Sequence, residues 1–135
     1  NKISDIVLKD FDEPHMDYTH INKVFYTEHG GENRDGASIR HATKVLEQQR
    51  GKKMLIVISD GLPSHSGYGG QLGEEDTKMA VREAENKGIH IMGISIDRDA
   101  NNFVLEAYPN SFVFNDMGEL PHQITRSYIQ AMRVL

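Results

Sequence analysis

Residues 53–60 have the sequence Lys-Met-Leu-Ile-Val-Ile-Ser-Asp, an apolar run rich in β-branched side chains that ends on a carboxylate. A run of this length and composition predicts a strand that is covered on both faces, which is typical of parallel sheets. A second run of the same kind, residues 89–97, has the sequence Ile-His-Ile-Met-Gly-Ile-Ser-Ile-Asp. A shorter strand is predicted at residues 111–114. Together these runs predict a parallel sheet.

Helical patterns alternate with the strands along the chain. Gly51 and Gly88 stand where a helix C-terminus favours a left-handed residue. In the last predicted helix, Ile124, Tyr128, Ile129 and Met132 form the apolar stripe expected to face the sheet. The alternation predicts an α/β fold, a Rossmann-like, mostly parallel sheet with helices on both sides. The predicted helices are residues 35–50, 74–87, 100–107 and 119–134.

The first 34 residues are more polar and richer in turn formers than the rest. A short edge strand is predicted at residues 4–9, ended by the turn-forming residues 10–14, and a weaker extended segment is predicted at residues 23–27. We therefore divide the chain into residues 1–34, an edge strand with loops, and residues 35–135, the α/β core.

Composition excludes several classes of protein. The 135 residues include no cysteine, so a disulfide framework, a thiolate zinc site and a cysteine nucleophile are excluded, and a reducing cytoplasm is the expected location. Fifteen basic against 20 acidic side chains give a net charge of −5, which disfavours nucleic acid as a partner. The apolar runs are too short to cross a bilayer and no secretory leader opens the sequence, so we expect no membrane insertion.

Two aspartates are candidate metal ligands. Asp60 directly follows a predicted buried strand, where parallel α/β sheets gather functional groups. It could bind a divalent cation such as Mg²⁺, or it could instead stabilise the turn that it forms with Gly61. Asp35 begins the helix that leads into this strand and could join Asp60 at the ion. The alternative is that Asp35 is a helix N-cap that accepts from the amides of Ala37 or Ser38.

The loop at residues 61–73 follows the same strand end. It is rich in glycine and serine, but it has neither a dinucleotide-binding fingerprint nor a P-loop. Ser64, His65 and Tyr68 are candidates for a mobile surface that contacts a partner, although an ordinary flexible connection explains the composition equally well. Residues 74–76, which are all acidic, are expected to complement the N-terminus of the following helix.

Several of these segments resemble the von Willebrand factor A domain family in their order and spacing. They are Asn-Arg-Asp-Gly-Ala-Ser at residues 33–38, Ser-Asp-Gly-Leu-Pro at residues 59–63, Lys-Asp-Phe-Asp-Glu-Pro at residues 9–14, and the pattern over residues 75–89. Within the family, the chain resembles the cytoplasmic bacterial subgroup of NorD-like nitric oxide reductase activation proteins, and it resembles the cobaltochelatase large subunit more distantly. The resemblance covers nearly the whole chain.

The resemblance implies a metal-ion-dependent adhesion site. The family builds this site from an Asp-x-Ser-x-Ser loop, a threonine from a second loop and an aspartate from a third. Asp60 matches the third position, and Asp35 looks like the subgroup's occupant of the second. No Asp-x-Ser-x-Ser occurs in this sequence, so by analogy the chain begins midway through a domain.

The missing first strands have a consequence for assembly. By the family's strand order, the strand at residues 53–59 would have one unpaired edge. We expect that edge to be covered by a second copy of the chain, by the displaced amino-terminal segment, or by upstream residues of a longer polypeptide.

The resemblance implies a non-enzymatic protein-binding module. Its expected role is that of an adaptor between a MoxR-type AAA+ ATPase and a client metalloenzyme that receives a metal or cofactor. Divalent cation binding is expected to be weak or absent, because two carboxylates leave most of the coordination shell of Mg²⁺ to water. The alternative is a metal-assisted hydrolase or phosphotransfer enzyme, for which Ser64 and His65 are the candidate nucleophile and base.

Overall fold

The computed structural model describes residues 6–15, 18–20, 22, 34–59, 62, 67, 69–96, 101–113 and 117–134. The chain divides into two units, Asn1–Gly31 and Glu32–Leu135. In the first unit, residues 6–10 form bends and irregular backbone, so the described part of the predicted edge strand is not a strand. The Asp10 amide donates to the Glu13 carboxylate (3.2 Å), which closes a turn there instead. The predicted segment at residues 23–27 lies outside the described residues.

The described part of the second unit contains one parallel sheet of three strands. The strands are β1 (Lys53–Ser59), β2 (Ile89–Ser95) and β3 (Asn110–Val113), in the spatial order β1-β2-β3. Lys53 pairs with Ile89 and Ser59 with Ser95, so β1 and β2 begin and end at the same level. The parallel sheet predicted from the apolar runs is confirmed.

Helices precede and follow each strand. They are α1 (Asp35–Glu47), α2 (Gly70–Asn86), α3 (Asn101–Ala107) and α4 (Leu120–Val134), and a 3₁₀ turn (Met117–Glu119) leads into α4. The predicted α/β class is therefore confirmed. No helix in the described ranges has both the length and the apolar character that a bilayer span requires.

Helix α2 begins four residues earlier than predicted. The stretch Gly-Gln-Leu-Gly at residues 70–73 has the composition of a loop, because glycine is a poor helix former. Gly73 is buried, however, and its carbonyl accepts a hydrogen bond from the Thr77 hydroxyl (2.8 Å). Tertiary packing thus overrides local propensity at this helix start.

The two faces of the sheet are covered by different helices. On the first face, Leu55, Val57, Ile89 and Ile91 pack against α1, α2 and α3. On the second face, Met54, Ile56, Met92, Ile94 and Phe112 pack against Leu120 and Ile124 of α4. The helices lie on both sides of the sheet, as predicted.

The coverage of β1 and the stripe of α4 differ from the predictions. Both faces of β1 are covered except near its carboxyl end, where Ile58 on the second face is 53% exposed. Within the described residues β1 pairs with a strand on one side only, which makes it an edge strand.

In α4, Tyr128 and Ile129 are exposed, while Leu120 and Ile124 reach the second face. The predicted stripe is wrong at Tyr128 and Ile129 because α4 contacts this core through its first turns.

Three charged side chains connect α1 to α2. The Arg40 guanidinium donates to both carboxylate oxygens of Glu83 (2.7 and 3.2 Å) and to Asp76 (2.8 Å). This arrangement corrects the interpretation of residues 74–76, which lie beyond the first turn of α2. Asp76 pairs with Arg40, and Glu75 lies 3.8 Å from the Lys78 ammonium.

Candidate functional site

Topology brings Asp35 to the carboxyl ends of the strands. Helix α1 has 13 residues and spans about 20 Å, and β1 has seven residues and spans about 23 Å. Only residues 48–52 connect the end of α1 to the start of β1, so the chain reverses between them. The first residue of α1, Asp35, therefore stands at the level where β1 ends.

Tyr108 interacts electrostatically with Asp35. It follows α3 and is buried, and the charge of Asp35 acts on its hydroxyl. Burial, and after it the negative charge of Asp35, raises the pKa of the Tyr108 hydroxyl well above its usual range. Asp35 itself is half-buried, so water screens its charge less than it would screen that of an exposed carboxylate.

A glycine in β2 makes room for the Tyr108 ring. A Cβ atom on Gly93 would overlap the Cγ and Cδ2 atoms of that ring. The ring can therefore lie directly on the strand backbone, on the same face as Ser95, which is two residues further along β2. Ser59 and Ser95 are paired at the ends of their strands. We call Asp35, Ser59, Ser95 and Tyr108 the strand-end site.

Asp35 is not the N-cap of α1. The N-cap residue is Arg34, which makes no side-chain capping hydrogen bond. The Ser38 amide, one of the two donors expected for an Asp35 cap, donates to the Arg34 carbonyl instead (3.1 Å). As the first residue of the helix, Asp35 still places a negative charge near the positive end of the helix dipole.

The other candidate site residues are not among the described residues. Asp60 follows β1 in the sequence, and Ser64, His65 and Tyr68 belong to the loop after it; all four lie outside the described part. Their roles stay predictions. Within the described ranges, no group of three or more histidine or acidic side chains is arranged to hold a metal ion. Of the predicted metal ligands and contact residues, Asp35 is the one that lies among the described residues.

Sequence reasoning missed Tyr108. One signal for it was present, because a glycine in the middle of a strand of large apolar residues often marks the close approach of another group. Gly93 is such a glycine. The sequence does not indicate which side chain approaches, since Tyr108 arrives from the end of a different helix.

Comparisons with known proteins place the chain in a family. The model of the von Willebrand factor type A domain matches residues 6–124. Protein NorD of Brucella suis is 36% identical over 96 residues, which are 70% of this chain and 15% of that protein. Protein NorD of Stutzerimonas stutzeri is 36% identical over 99 residues, 72% of this chain and 16% of that protein.

A third relative covers more of the chain. The uncharacterized protein PA0525 of Pseudomonas aeruginosa is 34% identical over 131 residues, which are 94% of this chain and 21% of that protein. The chain thus spans only about a fifth or less of each of these relatives. No solved structure is significantly similar to it. The chain belongs to the von Willebrand factor type A domain family, and its relatives include NorD proteins.

Proposed function

We propose that the chain is a non-enzymatic protein-binding module with an incomplete metal-ion-dependent adhesion site. The position of Asp35 at the carboxyl ends of the strands, where its charge acts on the buried Tyr108, supports the proposal most directly. Membership of the von Willebrand factor type A domain family supports it, because such a site in this family contacts partner proteins.

Asp35 and Asp60 would hold a divalent cation such as Mg²⁺ together. Mg²⁺ takes six oxygen ligands in near-ideal octahedral geometry, so two carboxylates leave most positions to water or to a partner. A carboxylate from the partner and several water molecules would complete the shell, so we expect cation binding by the chain alone to be weak. Ser64, His65 and Tyr68 would form the rim of the contact surface.

The proposed partners are a MoxR-type AAA+ ATPase and a client metalloenzyme. Similarity to NorD proteins supports this assignment. Because the chain spans a small part of those relatives, the role proposed for it is that of the contact module. The remaining activity would belong to the ATPase and the client.

The test is a binding titration between the purified protein and a MoxR-type ATPase, with Mg²⁺ and then with a chelator. We expect Asp35→Ala and Asp60→Ala to weaken association by about tenfold or more, since a charged contact to an ion is lost. Glu85→Ala removes an exposed carboxylate from the last turns of α2 and is the control, with no loss expected. Equal affinity with the chelator and in both aspartate variants would contradict the proposal.

A phosphatase assay on a generic ester separates this proposal from the enzymatic alternative. The protein-binding module should show no turnover with Mg²⁺ or Mn²⁺. Metal-dependent turnover that disappears in Asp60→Ala would instead establish a metal-assisted hydrolase.

A further inference from the structure

Helix α4 carries a row of two arginines and an isoleucine on the side that faces away from the sheet. Arg126, Ile129 and Arg133 follow one another at intervals of three and four residues, so they share one side of the helix and span about 10 Å along it. All three side chains are exposed. Leu120 and Ile124, on the opposite side of the helix, pack against the sheet. The row therefore faces the solvent.

The two arginines of this row have no acidic partner in the described part of the chain. Neither Arg126 nor Arg133 forms an ion pair or a side-chain hydrogen bond there. On α1 and α2, by contrast, Arg40 pairs with a glutamate at 2.7 Å and Lys87 with another at 2.8 Å. Helix α4 contains no acidic residue, although 20 of the 135 residues of the chain are acidic. Its positive charge is therefore available to a partner.

Lys52 adds a third cation where the row ends. Its ammonium donates to the Met132 carbonyl (3.0 Å), which brings the residue before β1 to the last turn of α4, beside Arg133. The row thus ends at the amino end of β1, while the strand-end site lies at the carboxyl ends. Cations near a helix C-terminus favour the helix dipole, but Arg126 lies two turns before the end of α4, beyond the reach of that effect. We call Lys52, Arg126, Ile129 and Arg133 the basic surface.

Exposed apolar side chains lie within and beside the basic surface. Ile129 is 46% exposed between the two arginines, and Tyr128, the residue before it, is 51% exposed. The apolar spacing of α4 thus continues past the turns that contact the sheet. Tyrosine and arginine are enriched where proteins bind one another. The composition of this side of α4 is therefore that of a contact surface for a protein.

The charges and Ile129 together indicate the chemistry of the partner. Carboxylates are the complement of arginine side chains in proteins, and Ile129 needs an apolar group, which inorganic phosphate and a nucleic acid backbone lack. The net charge of −5 opposes approach to an extended anionic surface such as a membrane, whereas a short segment meets the basic surface alone. We propose that the basic surface binds an acidic segment of a partner protein, whose carboxylates contact the cations and whose apolar side chain covers Ile129.

The test is a fluorescence anisotropy titration of the purified protein with a labelled peptide in which glutamates flank one leucine. We expect a dissociation constant of about 1 mM or tighter, which weakens several-fold as salt is added because exposed charges are screened. The comparison probes are the same peptide with glutamine in place of glutamate, inorganic phosphate, and vesicles that contain phosphatidylserine. No binding of the glutamate peptide, equal binding of the glutamine peptide, or binding of vesicles or phosphate in its place would overturn the proposal.

Charge reversals locate the bound peptide. Arg126→Glu and Arg133→Glu should each weaken binding about tenfold, because attraction becomes repulsion, and both positions are exposed, so the variants should fold. Arg82→Glu is the matched control and should leave the affinity unchanged, since Arg82 is an exposed arginine on α2, which covers the other face of the sheet. Parental affinity in the two α4 variants, or an equal loss in Arg82→Glu, would contradict the proposal.

A serine at position 129 tests the apolar part of the contact. Ile129→Ser should weaken binding of the leucine peptide several-fold, but not binding of the same peptide with serine in place of leucine. Equal losses with the two peptides would show that the leucine does not cover Ile129. Light scattering identifies a second copy of the chain as the occupant if the protein self-associates and Arg126→Glu abolishes the association, and that result would overturn the proposal.

Discussion

At the scale of single residues, the contact between Gly93 and Tyr108 connects the sheet to the strand-end site. Only a residue without a side chain at position 93 allows the ring to lie on β2. The ring occupies the first face and its hydroxyl experiences the charge of Asp35. The geometry of the strand-end site thus depends on Gly93, although this glycine has no side chain that could take part in its chemistry.

We predict that Gly93→Ala lowers the free energy of unfolding by about 1–3 kcal/mol, because the added methyl group overpacks a filled core. Urea denaturation measures this change. In a Tyr108→Ala background the same substitution should cost much less, since the ring that it would strike is absent. An equal cost in both backgrounds would show that the ring is not what excludes a side chain at position 93.

Asp35 was predictable as a residue of the strand ends, but its neighbour was not. Its place follows from local facts, namely the lengths of α1 and β1 and the short connection between them. The approach of Tyr108 depends on how α3 packs against β2, which no local pattern encodes. The N-cap assignment of Asp35 was wrong because an aspartate is favoured both at the cap and in the first turn.

At the scale of elements, the two-carboxylate contact of Arg40 joins α1 to α2. Its pairing with Glu83 lowers the pKa of that carboxyl group, chiefly through the hydrogen bond that Arg40 donates. A lowered pKa means that the stabilisation is complete above the ordinary glutamate pKa of about 4.3 and is lost as the pH falls through the lower value. Both carboxylates are partly exposed, so the solvent weakens the effect.

We predict that Arg40→Met costs about 1 kcal/mol of unfolding free energy at pH 7, and that the difference from the parent protein shrinks toward zero below about pH 3. Chemical denaturation at the two pH values measures it. Lys44→Met changes an exposed cation on the same helix and should show a smaller, less pH-dependent difference. A cost for Arg40→Met that persists at the lower pH would mean that lost packing, and not charge, explains it.

The elements differ in how well the sequence predicts them. Both long strands follow from their continuous apolar runs, and the helices follow from the spacing of their apolar residues. Both signals depend only on residues that are close together in the sequence. The start of α2 was missed because the burial of Gly73 is a tertiary effect. The stripe of α4 was partly wrong because spacing identifies an apolar side of a helix, while the sheet determines which turns it contacts.

In the assembly of the described sheet, β1 and β3 each have an edge without a partner strand, and β1 is the longer and more apolar of the two. Ile58 is largely exposed on it, and open apolar edges promote pairing between chains. The edge without a partner strand in the described part agrees with the unpaired edge expected for this strand, and what covers it stays a prediction.

We predict that the purified chain self-associates as its concentration rises, and that Ile58→Lys reduces the association by at least several-fold, because a charge at a strand edge opposes pairing. Light scattering coupled to size exclusion measures the mass. Met79→Lys is the control, since Met79 is equally exposed (56%) but lies on α2. A monomer at every concentration, or equal effects of the two substitutions, would exclude pairing of copies through β1.

We propose that Asp35 and Asp60 together bind a divalent cation at the carboxyl ends of the strands. Paramagnetic broadening of amide resonances by Mn²⁺ tests it most directly, because it detects even weak binding and reports its location. We predict broadening centred on Asp35, Ser59 and Tyr108 that is lost in Asp35→Ala. Broadening that is spread over the acidic surface, or that is unchanged in that variant, would contradict the claim.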